Sequence, residues 1–160
     1  WASAVAGNGT NDDELRQSLE ALSTHEADIE VELEMLDALE QLRAAQAAAT
    51  NGGLPTVETQ HRVLASEACH FSAPASLATD QAQASGRVLF TGSRAVFVGA
   101  GRTSACPWHM VHEIGRVERD ALFVRADGSA AAHFRFNTFG DAVLCAFLAQ
   151  QLKQARRARL

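Results

Sequence analysis

The chain has few of the features that mark secreted or membrane-spanning proteins. It contains no apolar run of the roughly 18 to 20 residues that cross a bilayer, and no basic and then apolar leader at its start. Its three cysteines, Cys69, Cys106 and Cys145, are odd in number and far apart, which argues against a disulfide framework. We therefore expect reduced thiols in a cytoplasmic protein, with a peripheral place at the inner face of a membrane as the alternative. Because the chain begins at Trp1 rather than Met, we also expect it to be a piece of a longer protein.

Short catalytic, phosphate-binding and metal-binding signatures are also lacking. The segment from Gly99 to Thr103 is glycine-rich, but neither a helical pattern nor a Walker lysine follows it, so we interpret it as a tight strand connection. Cys106 has histidines nearby but no nucleophile elbow. Cys106, His109 and His112 suggest zinc ligands, yet His109 and His112 would point to opposite faces of a strand and no C-x-x-C pair is present. We expect no catalytic residue, no metal and no cofactor.

What the chain does contain is charge of opposite sign in its two parts. Through Glu58 there are twelve acidic residues against two arginines, a net charge of −10, whereas the remainder carries a net charge of +5. Thirteen of the fourteen basic residues are arginine, which reflects either a biased genome composition or a need for bidentate anion contacts. The basic residues near the C-terminus lack interleaved aromatics, so we expect no nucleic-acid partner.

The acidic part has the pattern of helices. We expect residues 1–9 to form a flexible tail, residues 10–50 an acidic helical segment of one long helix or two, residues 51–58 a linker and residues 59–160 a folded domain. Residues 23–26 read as a capping box at which a second helix starts or the first one kinks.

One apolar stripe runs along the long helix. Ile29, Leu33, Leu36 and Leu39 follow helical spacing, while the other faces are acidic. This pattern is typical of a helical hairpin or a coiled coil, and it predicts an interaction helix that packs on a protein partner or on a second copy.

The basic part has the pattern of short strands. Gly86 to Gly99 reads as a hairpin with a type II′ turn at Gly92-Ser93, and Asp127-Gly128 marks a second hairpin. Arg62 to Phe71 and Cys106 to Ile114 read as further extended segments. A helix with one apolar face follows, so the sequence predicts an α+β fold in which an antiparallel sheet is closed by a C-terminal helix.

Several of these residues fall into one recognisable order between about residues 54 and 152. The chain resembles the PH/GRAM-like domains of poorly characterised bacterial proteins. The resemblance is carried by Glu67, Cys69-His70-Phe71, Gly86, Leu89-Phe90-Thr91, Arg94, Phe97, Trp108, Val111, Ile114 and Phe134-Arg135-Phe136. It implies a curled antiparallel sheet or small barrel capped by a C-terminal helix. Members bind lipid headgroups, phosphorylated ligands, peptides or neighbouring domains, and the resemblance implies no catalytic residue.

The arginines of the strand region are the candidate ligand-binding residues. Arg87, Arg94 and Arg102 flank the first hairpin and Arg125 flanks the second, so they either converge on one rim or lie scattered in solvent, some of them paired with the acidic helices. We expect a non-enzymatic protein-interaction or scaffolding module of PH/GRAM-like type, which engages its partner through a strand edge or through the long helix. The alternative is binding of an anionic lipid or phosphorylated ligand through an arginine-lined rim.

Overall fold

The fold was analysed in a computed structural model that describes residues 13–17, 29–59, 61–78 and 84–158. The predicted tail over residues 1–9 and the capping box at residues 23–26 lie outside the described residues. Residues 13–17 are helical. The remaining helices and strands are α1 (Glu30–Asn51), β1 (Phe71–Leu77), β2 (Ser85–Phe90), β3 (Arg94–Gly99), β4 (Arg102–Pro107), β5 (Glu113–Val117), β6 (Asp120–Val124), β7 (Ala130–Phe136) and α2 (Phe139–Ala158).

Helix α1 has a neighbour on its acidic side. Arg16, from the short helical segment, forms ion pairs with Asp37 at 2.7 Å and with Glu40 at 3.0 Å. These contacts lay residues 13–17 beside α1. The helix ends at Asn51 because the next residue, Gly52, has a φ of +140°, which glycine adopts without a steric penalty.

The seven strands form one open antiparallel sheet with the order β4-β3-β2-β1-β7-β6-β5. The α+β class with a C-terminal helix is therefore confirmed, whereas the small closed barrel is wrong because β4 and β5 stand at opposite ends of the strand order. Residues 13–17 and α1 supply the helical part that precedes the sheet.

Two segments that read as extended contain short 3-10 turns instead. Arg62–Leu64 is a 3-10 turn, and Trp108–Met110 is another that separates β4 from β5. The expected type II′ turn at Gly92-Ser93 is also wrong, since Gly92 does not have positive φ. The Thr91 hydroxyl accepts the backbone N–H of Ser93 there, so a side chain supplies the turn that a glycine conformation was expected to supply.

An aromatic core fills the space between the sheet and α2. The Trp108 ring packs edge-on against Phe90, with ring centroids 5.0 Å apart, and Phe123 lies against both. Such pairs add about 0.5–1.5 kcal/mol beyond the burial of their area. From α2, Cys145 and Leu148 close the cluster.

Helix α1 packs on α2 rather than standing apart from the sheet. Ala38 and Leu42 of α1 form a second buried cluster with Phe139 and Val143 of α2. The acidic helical part is therefore joined to the sheet through the helix that covers the core. Neither α1 nor α2 is long and apolar enough to span a bilayer, and the same holds for the helical residues 13–17.

Candidate functional site

Arg94, one of the four candidate arginines, is engaged in a network that holds the β2–β3 turn. Its Nη2 donates to Glu67 Oε2 at 3.1 Å and to the carbonyl of Val63 at 2.9 Å. Glu67 also accepts hydrogen bonds from the hydroxyls of Ser93 and Thr91. The Ser93 bond lowers the pKa of Glu67 most, burial opposes it, and Arg94 lowers it further. Arg94 thus ties the loop before β1 to the turn.

The remaining candidate arginines lie in separate places. Arg87 donates to the Ser72 hydroxyl at 2.8 Å, beside Asp141 at the start of α2. Arg102 begins β4, at the opposite end of the β3–β4 hairpin from Arg94. Arg125 donates to the carbonyl of Ala130 at 2.7 Å, and its charge opposes the rise that burial causes in the pKa of Cys106, near the other end of β4 from Arg102. The structure therefore does not place the four arginines on one rim.

The predicted interaction helix faces inward. Ile29, Leu36 and Leu39 are buried, with Leu39 only 1% exposed, and Leu33 is half-buried. The apolar stripe is therefore already covered within this chain, and a partner would have to displace that packing to reach it.

The thiols and histidines do not assemble a reactive centre in the described part of the chain. Cys69, Cys106 and Cys145 are all buried, and burial raises the pKa of each thiol, which disfavours the nucleophilic thiolate. Among the described residues no group of three histidine, cysteine or acidic side chains could hold a metal ion.

A cleft of about 590 Å³ lies where α1, α2 and the β5–β6 turn meet. Glu34 of α1 accepts the backbone N–H of Phe139 at 2.6 Å and pairs with Arg119 at 2.6 Å. Burial raises the pKa of Glu34, but these two partners outweigh it, and the pKa lies below its ordinary value. The Arg116 guanidinium stacks 4.7 Å above the Phe139 ring. Glu34 and Arg119 are ion-pair partners, and the hydrogen bond from Phe139 to Glu34 connects α1 to the first turn of α2.

The β4 edge of the sheet presents unused backbone groups. Ala100 and Gly101 form a two-residue turn, in which Gly101 has a φ of +69°, and Gly99 pairs with Arg102 across it. The pair that closes a two-residue turn is hydrogen-bonded, and bonded pairs then alternate along an antiparallel ladder.

This alternation decides which β4 groups face outward. Ser104 and Cys106 bond to β3, and the bond from Trp108 N to Ser93 O at 3.1 Å follows the same parity. The N–H and C=O groups of Thr103 and Ala105 therefore point away from the sheet. Pro107 continues the outward series but has no N–H to offer, which fits the confinement of proline to edge strands.

The outward side of β4 is open to solvent. Arg102, Thr103, Ser104 and Ala105 are all exposed, and within the described ranges no backbone hydrogen bond reaches the outward groups of Thr103 or Ala105. The β5 edge differs, because α2 packs along it and Lys153 donates to the carbonyl of His112 just before the strand. We call residues 102–105 the β4 edge.

The sequence pattern suggested a strand edge without saying which strand forms it. The glycine-rich connection at Gly99 to Thr103 and the proline at position 107 were the available signals, because together they bound a short strand that follows a tight turn. What the pattern could not supply is the position of β4 at the end of the strand order.

Comparison with solved structures gives neighbours of low sequence identity, two of which follow. No protein-family model and no curated protein matches the chain. The C-terminal domain of an unknown protein from Leishmania infantum is similar over 56% of this chain and 88% of that one, with 15% identity and a TM-score of 0.47. Inner Membrane Complex sub-compartment protein 3 from Toxoplasma gondii is similar over 54% and 77%, with 9% identity and a TM-score of 0.42.

Proposed function

We propose that this chain is a non-enzymatic interaction module of PH/GRAM-like type that binds an extended peptide as an added strand along the β4 edge. The antiparallel sheet followed by one covering helix agrees with the outline that the sequence resemblance implies. No catalytic residue, metal or cofactor is assigned. The partner is a segment of another protein, and its binding mode is β-augmentation.

The outward orientation of Thr103 and Ala105 is the observation that carries the proposal. These two residues offer two N–H donors and two C=O acceptors in the alternating arrangement that a new antiparallel strand requires. Each backbone hydrogen bond contributes about 0.5–1.5 kcal/mol net, so four of them support a reversible complex rather than a permanent one. Exposed strand edges are templates for further pairing, which a partner strand would satisfy.

The charge of the surrounding surface selects an acidic peptide. Arg102 lies in the edge itself, and β4 contains no acidic residue. Aspartate or glutamate side chains on the added strand would form charge-assisted hydrogen bonds with its guanidinium group.

The proposal is tested by selecting binders from a random-peptide library and measuring their affinity for edge variants. Replacing Ala105 with proline removes one outward donor and leaves every inward hydrogen bond of β4 intact. We expect Ala105→Pro and Thr103→Pro to weaken the selected peptides by roughly tenfold or more, and Ala105→Ser, which keeps the N–H, to leave affinity unchanged. Selected peptides that bind Ala105→Pro and Ala105→Ser equally would refute docking at this edge.

Binding of an anionic lipid or phosphorylated ligand is the second proposal, and the net charge of +5 that the chain carries after Glu58 favours it. Co-sedimentation with neutral and anionic vesicles at low and moderate salt tests it. Salt-sensitive binding to anionic vesicles that is lost in the Arg102→Gln, Arg125→Gln double variant would support this proposal, because screening weakens exposed charge attraction. Absence of vesicle binding by the unaltered chain would eliminate the anionic lipid as the ligand.

A further inference from the structure

An apolar groove lies on the face of the molecule where α1, α2 and the start of β1 meet. Its volume is about 410 Å³, which falls within the range of small-molecule sites, about 300–1,000 Å³. Its apolar walls are formed by Ala44, Ala45, Ala48, Leu144, Leu148 and Phe71. The groove is separate from the β4 edge, with which it shares no lining residue.

The alanines of α1 account for the space. Ala38 and Leu42 make the close contact with α2 near its start, whereas further along the helix the side chains at 44, 45 and 48 are single methyl groups. Because the helices are held together at that earlier contact, these short side chains leave a trough between α1 and α2. Phe71 and the chain at Pro55 complete the walls.

Four polar side chains line the groove, those of Gln41, His70, Ser72 and Asp141. His70 Nδ1 lies 2.9 Å from the carbonyl of Pro55, which can only accept, so Nδ1 donates to it. Asp141 of α2 lines the groove next to Ser72 and Gln41. Burial raises the pKa of Asp141, and its bond with Thr138 and the nearby charge of Arg87 offset this only in part.

We propose that this groove binds a small neutral amphiphile, an apolar chain that ends in a hydroxyl group. The chain would lie against the alanine, leucine and phenylalanine walls, and the hydroxyl would donate to the Asp141 carboxylate. Groove size, apolar walls and an acceptor at one end are the features of a preformed small-molecule site.

Charge discriminates between the three head groups that such a chain can carry. A carboxylate head would place a second negative charge beside Asp141, whereas Arg87, which could attract it, does not line the groove. An ammonium head would be attracted by Asp141, but the nearby charge of Arg87 weakens this attraction and burial removes the hydration of the ammonium group. A neutral hydroxyl has a smaller desolvation cost and satisfies the acceptor.

The test uses 1-decanol and decanoate as probes in an NMR titration of the whole chain with methyl-labelled alanine. We expect 1-decanol to shift the methyl signals of Ala44, Ala45 and Ala48 and to leave Ala47, on another side of α1, unmoved. Decanoate should bind roughly tenfold more weakly than 1-decanol, because Asp141 repels its carboxylate. Asp141→Asn should bring the two affinities together.

Ala44→Phe and Ala47→Phe form a matched pair, since both positions are exposed on α1 and only Ala44 lines the groove. Ala44→Phe should abolish the 1-decanol shifts, and Ala47→Phe should preserve them. Equal binding by both variants, or no shift in the unaltered chain up to the solubility limit of 1-decanol, would overturn the proposal. Concentration-dependent shifts of the same methyls without any probe would also overturn it, because a second copy would then cover the groove. The Ala105→Pro variant should bind 1-decanol normally, which separates this site from the peptide edge.

Discussion

At the scale of single residues, the side chains of Glu67 and Trp108 stabilise the β2–β3 turn through hydrogen bonds within the chain. Glu67 accepts hydrogen bonds from Ser93, Thr91 and Arg94, and the indole N–H of Trp108 donates to the carbonyl of Thr91 at 2.8 Å. One carboxylate therefore links the loop before β1 to the β2–β3 turn, and Trp108 connects that turn to the core. Such networks are costly to break in part because each remaining group loses its partner.

Acid should lower the free energy of unfolding by protonating carboxylates that are hydrogen-bonded or ion-paired in the folded chain. The pKa values of Glu67, Glu34 and Asp120 lie below their ordinary values in the folded chain. A depressed folded-state pKa gives stability that is present above the unfolded value, near 4, and is lost as the pH falls through the folded value. We expect the urea midpoint to decrease from about pH 5 downward, and Glu67→Gln to flatten that decrease. An equally steep decrease in Glu67→Gln would show that the Glu67 network does not contribute.

Gly86 of β2 is required by a close approach of backbone. A Cβ at this position would lie 2.2 Å from the carbonyl oxygen of Val98 and 2.8 Å from the Phe97 ring, whereas a Cβ at Gly92 would meet no atom within 4 Å. We expect Gly86→Ala to reduce the free energy of unfolding by about 1–3 kcal/mol, and Gly92→Ala to change it by less than about 0.5 kcal/mol. Denaturant unfolding of the two variants measures this, and equal effects would contradict the strand spacing described here.

At the scale of elements, the contact between α1 and α2 unites the acidic helical part with the sheet. Leu42 is buried in the cluster with Phe139 and Val143, and Glu34 bonds the first N–H of α2. We expect Leu42→Ala to lower the free energy of unfolding by about 2–4 kcal/mol through the lost contacts and the cavity left behind. Val31→Ala, at an exposed position of the same helix, should cost less than about 0.5 kcal/mol. A small effect at Leu42 would mean that α1 does not pack on α2 in solution.

Local sequence patterns predict the helices, strands and turns better than they predict which of these elements pack against each other. The end of α1 at Gly52, the hairpin between Gly86 and Gly99 and the turn at Asp127-Gly128 follow from glycine placement and alternating apolar residues, which act within a few positions. The sequence predicts a strand at Trp108 because apolar residues recur along that segment, whereas the structure has a 3-10 turn there. The hydrogen bond from the Trp108 indole N–H to the Thr91 carbonyl is a tertiary contact, which local sequence does not predict.

The candidate site shows the same division. Arg94 and Arg102 looked equivalent along the chain, but the strand register sends them to opposite ends of the β3–β4 hairpin. The apolar stripe through Leu36 and Leu39 was correctly seen as one face, while its burial inside the chain depends on contacts that no periodicity reveals. Periodicity predicts which face of a helix is apolar, and only the tertiary structure shows which residues that face contacts.

At the scale of the whole molecule, the open strand order gives the sheet two ends that are treated differently. Helix α2 lies along β5, and Lys153 satisfies the carbonyl of His112, whereas the β4 edge is exposed on both faces. Strand β4 is short, begins with an arginine and ends with a proline, features that limit uncontrolled pairing while leaving room for one added strand. We propose that this end of the sheet binds a peptide as an added strand.

Amide hydrogen exchange along β4, followed by NMR with and without a peptide selected from the library, shows whether the peptide pairs with this strand. In the free chain Thr103 and Ala105 should exchange fast and Ser104 and Cys106 slowly, because only the latter two bond to β3. Saturating peptide should slow Thr103 and Ala105 to the range of their neighbours. Fast exchange of Thr103 and Ala105 in the saturated complex, with new protection in another part of the chain, would contradict peptide binding at the β4 edge.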